Sequence, residues 1–156
     1  MEGEVPNSPP SEEVEIDYLL LADYAEVLNN KMYLMGGGWD NFAPSSYPAE
    51  MRWGVAVGIR VPFLESNRPI HFVLTMRGDG GQEHFRIEGD LETGRPPGSK
   101  GESILAPLAI NGTTQLIGPN LLEIVATIDG KHSRRISVRA RPARDTSPGS
   151  KPASGA

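Results

Sequence analysis

DYLLLADYAEVLNNKMYLMGGGWDNF, residues 17–42, is the stretch on which the fold class turns. Two apolar runs rich in Leu, Tyr, Val and Met flank Asn29-Asn30, a pair that tolerates positive φ, so the stretch reads as a β-hairpin. Leu19, Leu20 and Leu21 occupy both faces in succession, which predicts a central strand covered on both sides, or one that bulges. The return run ends in Gly36-Gly37-Gly38 before Trp39 and Asp40. A phosphate cradle needs a helix or a Lys after its glycines; here Trp-Asp-Asn-Phe follows, so the glycines predict a bend that seats Trp39.

Outward from the hairpin, the same period-2 logic gives six more strands. Residues 51–61 are the clearest: Trp53, Val55, Val57, Ile59 and Val61 share one face, while Gly54, Ala56 and Gly58 leave the other flat enough for a second backbone or a partner to approach. Strands follow at 70–77, with Ile70, Phe72, Leu74 and Met76 on one face, and at 83–91, whose other face is charged. Residues 92–102 hold two prolines and three glycines and predict a loop, either a plain connection or a lid carrying Arg95. A strand at 103–110 contains Pro107, which places it at an edge or a bulge. Strands around 122–128 and 135–141 flank Asp129-Gly130 as a closing hairpin.

No long segment keeps a helical apolar period without Gly or Pro, and 18 Gly with 14 Pro in 156 residues suit short strands joined by tight turns. With no helix to cover an open sheet, the strands must bury their apolar faces on one another. The expectation is an all-β, two-layer antiparallel β-sandwich of about eight strands, immunoglobulin-like or C2-like in architecture. It spans residues 14–141, between an acidic, Pro-rich tail at 1–13 and a Pro/Ser/Gly/Ala tail at 142–156, both of them expected to be disordered.

Composition also excludes chemistry. The absence of Cys removes disulfides, thiolate metal sites and thiol nucleophiles. His71, His84 and His132 lack metal-ligand spacing; pairing of the fourth and fifth strands would set His71 facing His84, too few ligands for a closed zinc site. Asp79, Asp90 and Asp129 fall where turns need them. No nucleophile elbow or paired carboxylates stand out, so no enzyme activity, metal or cofactor is expected.

The net charge is −5, and four glutamates sit in residues 1–13, so the core is nearly neutral and offers no general field for nucleic acid. Arg134, Arg135, Arg139 and Arg141 make the last strand basic, with Glu123 and Asp129 expected to offset them. The first residues lack the positive start and apolar run of a secretory signal, and no apolar run approaches the roughly 20 residues of a membrane helix. A cytoplasmic protein without membrane contact is expected.

At DYLLLADYAEV, MYLMGGGWDNF and WGVAVGIRVPFLESNR, and again at GRPPG (residues 94–98), the chain resembles a bacterial family known only as a domain of unknown function. The resemblance covers about residues 16–140 and implies a small β-sandwich of bacterial cytoplasmic origin. It carries no catalytic or binding residues.

The candidate contact residues are therefore Trp39, Asp40, Trp53, Gly54, Ala56, Gly58 and Arg95. They favour a non-enzymatic module acting by contact with an unknown protein partner or by self-association, through a sheet edge or the flat glycine face. The alternative is a sugar- or nucleotide-binding module using exposed Trp39 and Trp53. A hydrolase comes third, and it needs His71 or His84 in a polar pocket beside a Ser or carboxylate.

Overall fold

The computed structural model describes residues 12–144, so the tail expectations for 1–13 and 142–156 lie almost wholly outside the described residues. Within them, nine strands form two sheets: β1 (Glu15–Leu28), β2 (Lys31–Gly37), β3 (Asn41–Phe42), β4 (Ala49–Val61), β5 (Pro69–Arg77), β6 (Glu83–Glu92), β7 (Ile104–Leu116), β8 (Asn120–Ile128) and β9 (His132–Ala140). The first sheet runs β2-β1-β4-β7 and the second β3-β9-β8-β5-β6. The only helical turn among the described residues is 3-10, Phe63–Glu65.

This is the expected all-β, two-layer architecture, with three corrections. The two-residue strand β3 is too short to leave a periodic signal, and it pairs with β9 in parallel, so the sandwich is not antiparallel throughout. Strand β7 runs six residues beyond the expected end at 110 because Asn111-Gly112, a dipeptide typical of turns, lies mid-strand. The bulge in β1 falls between Ile16 and Tyr18, ahead of the three leucines, and Leu20 is exposed on the outer face while Leu19 and Leu21 are buried, so β1 is central without being covered on both sides.

The core is built from the period-2 sets. Val55, Val57, Ile59 and Val61 of β4 meet Ile70, Leu74 and Met76 of β5 and Leu122, Ile124 and Ala126 of β8, all fully buried. On one side, two polar residues of β9 tie the sheets. Pairing places His132 opposite Ile128 and Arg134 opposite Ala126. There His132 Nδ1 accepts the Ile16 N–H at 3.1 Å and the Arg134 guanidinium donates to the Asp17 carbonyl, at the β1 bulge. On the other side the edge strands β6 and β7 face each other with less cover, and the core-facing Ile104, Ala106, Leu108 and Ile110 stay half-buried.

One departure from a simple sandwich shapes the surface. Strand β1 pairs with β4 as far as Ala22↔Gly54 and then leaves it, continuing with β2 alone. Beyond that point the Tyr24–Ala25 backbone crosses the outer side of β4 at Gly54, where a Cβ would stand 2.8 Å from the Ala25 nitrogen and 2.9 Å from the Tyr24 carbonyl carbon. Asn111 of β7 holds it there, its side chain accepting the Ala25 N–H at 2.9 Å and donating to the Ala25 carbonyl at 2.8 Å.

Candidate functional site

The flat face of β4 is therefore filled by the chain itself. Gly54 lies under the crossing backbone, Gly58 lies under the Tyr18 ring, which a Cβ there would overlap, and Ala56 is fully buried. The expectation that another backbone approaches this face holds, but the backbone is its own; Gly54, Ala56 and Gly58 offer no room to a partner. Burial, reinforced by the neighbouring Asp17 carboxylate, raises the Tyr18 hydroxyl above its ordinary range.

The two tryptophans have separate environments. Trp53 is 3% exposed, stacks on Phe85 with ring centroids 4.5 Å apart, and donates its indole N–H to Thr114 Oγ1 at 3.0 Å. Gly112 makes this possible, since a Cβ there would stand 2.6 Å from the indole. Trp53 is a core residue bridging the sheets, which removes it from any exposed aromatic platform. Trp39 is half-buried and borders an open recess of about 420 Å³ with Asp23, Asn41, Phe42, Glu50 and Arg52. Its indole N–H is buried without a hydrogen-bond partner. Asp40 is exposed nearby, and its carbonyl accepts the Arg139 N–H at 2.8 Å.

Arg95 is exposed but anchored. It lies over the Phe63 ring at 4.1 Å and donates to Ser66 Oγ at 2.7 Å and to the Phe63 carbonyl at 3.2 Å. The loop that carries it is thereby pinned to the 3-10 turn.

His71 stands opposite Asp90, not His84; its Nδ1 lies 2.9 Å from Asp90 Oδ1 and its Nε2 2.8 Å from Glu88 Oε1. The Asp90 bond first, and then the Glu88 bond, raise its pKa above the ordinary imidazole value. It borders a recess of about 430 Å³ on the outer face of the second sheet, the setting a hydrolase would need. Both ring nitrogens are occupied by carboxylates, however, so neither is free to take a proton from a nucleophile. The two carboxylates sit at opposite ring nitrogens and do not converge, and no metal-binding group of three His, Asp or Glu occurs among the described residues. Of the charges expected to offset the last strand, Glu123 does pair with Arg135 at 3.5 Å, whereas Asp129 turns to Arg68 at 2.8 Å.

The most distinctive surface is one that the sequence pattern leaves undecided. In the β1–β2 register, Tyr24 stands opposite Met35, Glu26 opposite Tyr33 and Leu28 opposite Lys31, which places all six on one face of the hairpin. Tyr24, Leu28, Tyr33 and Met35 are 41%, 49%, 50% and 62% exposed. The signal is present in the alternation of each strand, but both faces of this hairpin are apolar and periodicity alone does not say which turns outward.

A family model described as a family of unknown function (DUF6941) matches residues 17–141. Among solved structures, the chain is similar to a superoxide reductase (neelaredoxin) from Ignicoccus hospitalis, at 10% identity and a TM-score of 0.33, over 67% of this chain and 76% of that one. A likeness that loose carries no inference about activity. None of the curated proteins matches. No helix among the described residues is long and apolar enough to cross a membrane.

Proposed function

The chain belongs to this family of unknown function, and from its own surface we propose that it is a non-enzymatic module that works by protein contact. The contact surface is the outer face of the β1–β2 hairpin, and its occupant is a second copy of the chain. The observation that supports this is the set of four large apolar side chains, Tyr24, Leu28, Tyr33 and Met35, exposed on one face of a paired hairpin. Contiguous apolar area of this kind, rimmed by polar groups, marks interaction surfaces. The charges on the same face are Glu26 and Lys31, one of each sign. Carrying one charge of each sign, the face has no net charge and is compatible with a two-fold contact in which Glu26 of each copy meets Lys31 of the other.

Light scattering over a range of concentrations tests the reading. The wild-type chain should dimerise, and Tyr33→Asp with Met35→Glu should leave a folded monomer. A wild type that stays monomeric throughout, or a double variant that still dimerises, rejects it; a monomer that instead binds lipid vesicles through this face assigns the surface to a membrane.

The Trp39 recess supports a second reading, a small polar ligand held against Trp39 and Phe42, since both rings line it and the buried Trp39 indole N–H has no partner. Quenching of Trp39 fluorescence by a panel of sugars and nucleotides tests it, with Trp53 shielded in the core.

A further inference from the structure

The open side of the sandwich holds a cavity of about 360 Å³ between the edge strands β6 and β7. The sequence explains its walls. Ile104, Ala106 and Leu108 alternate toward the core, opposite Val61, Ile59 and Val57 of β4. They remain half-buried because the second sheet ends at β6 and does not reach over them. Ile59 forms the floor, and Leu91 faces Ile104 and Ala106 from the end of β6.

The remaining wall is the loop that leaves β6, and it is held in place from behind. Thr93 accepts the Asn67 N–H on its carbonyl at 2.9 Å, and Arg95 anchors to Phe63 and Ser66. Between these two anchors Gly94, and just past them Pro96, line the cavity. The arrangement is a fixed rim, so the site exists without closure of a lid.

Its surface is mixed, with polar atoms supplying a little under half of it. Thr93 lines the cavity, and its hydroxyl is buried behind the wall without a hydrogen-bond partner, a state that costs free energy until a partner reaches it. Asn30, at the tip of the first hairpin, also lines it. Among the described residues, Glu92 is the single charged group of the lining, and no Lys or Arg contributes to it.

We propose that this cavity is a binding site for a small amphipathic molecule without negative charge, whose apolar part rests on Leu91, Ile104 and Ala106 and whose hydroxyl or carbonyl pairs with Thr93. The apolar floor and walls supply area, the orphaned hydroxyl fixes orientation, and Glu92 without a cation turns carboxylates away. The site is separate from the hairpin face and does not depend on it.

The experiment is a titration of the isotope-labelled chain with 1-hexanol, and in parallel with hexanoate, followed by amide NMR shifts. Hexanol should shift Ile59, Leu91, Thr93, Gly94 and Ala106 saturably, and hexanoate should do so more weakly. Thr93→Val should weaken hexanol binding about threefold to tenfold, the worth of one hydrogen bond. Ala106→Phe, which fills the space, should abolish the shifts, with the dispersion of the spectrum reporting that the variant is folded. If Ala106→Phe does not fold, a Leu108→Phe variant serves the same purpose. Non-saturating shifts, shifts away from these residues, hexanoate binding as tightly as hexanol, or shifts that survive a folded cavity-filling variant each overturn the proposal.

Discussion

At its tip the opening hairpin turns through Asn29 and Asn30, with φ of 49° and 62°, and the closing hairpin turns through Asp129 and Gly130, with φ of 50° and 66°. Two consecutive left-handed residues are what a two-residue turn needs to match the strand twist, so both ends of the domain use one local solution. Their surfaces then diverge. In the closing hairpin Leu122, Ile124, Ala126 and Ile128 all point inward, and the two outward apolar residues, exposed Leu121 and half-buried Val125, each stand opposite an arginine, Arg139 and Arg135. The opening hairpin is apolar on both faces because its distal half leaves the sheet edge and lies across the outer side of β4. One face, with Ala25 at 1% exposure, packs against its own sheet, and the other displays Tyr24, Tyr33 and Met35. Two hairpins with the same turn thus do different work: one completes the core, and the other carries an apolar surface outside it.

The comparison breaks most visibly at the crossing. Gly54→Val places carbon atoms inside the Tyr24–Ala25 backbone and against Asn111, and should cost at least about 3 kcal/mol by urea denaturation. Asn111→Ala removes two hydrogen bonds to Ala25 and should cost about 2 kcal/mol, with faster amide exchange at 24–28 and 31–35 and none at 121–138. A stability loss without that localised exchange would mean that Asn111 does not hold the crossing. Gly130→Ala, which puts a Cβ at φ 66°, should cost about 1 kcal/mol and affect only the closing hairpin.

The smallest effect sharpens the contrast through pH. Burial acts to raise the Asp129 carboxyl, but the Arg68 hydrogen bond, the His71 N–H and nearby positive charge outweigh it and hold the group below its ordinary range. A depressed carboxyl contributes stability above its unfolded pKa and loses it as pH falls through the lowered folded value. Acid below the ordinary aspartate range should therefore loosen the closing turn, seen as faster exchange at 128–132, while the Asn29-Asn30 turn, whose two corner residues do not ionise, should not respond. Equal loosening of both turns, or none at the closing one in Asp129→Asn, would contradict this role for Asp129.

Much of the fold is legible because its signals are local. The inward sets of β4, β5 and β8, the two turn pairs and the glycine bend before Trp39 follow from side-chain alternation and from residues that tolerate positive φ, and Pro107 correctly marks β7 as an edge strand. The candidate site is less legible. Trp53 reads in sequence as a core residue on the face of Val55, Val57, Ile59 and Val61, with an exposed platform as the alternative, but nothing local shows that Gly112, far away in the chain and directly opposite in the register, makes room for it inside. Likewise Arg95 reads only as part of a connection or a lid, and its anchoring to Phe63 and Ser66 is not legible in the sequence.

The sequence by itself determined that residues 17–42 form a hairpin, that the chain is an all-β sandwich, and that the β4 glycines admit a close backbone. Tertiary structure alone decided that this backbone is the hairpin's own second half, that Asn111 fastens it, that its outer face carries the exposed apolar row, and that a cavity remains between β6 and β7. The physical reason is range. Period and turn chemistry act within a few residues, whereas the covering of a face depends on sheet curl and on registers that join residues such as Ala25 and Asn111, 86 positions apart.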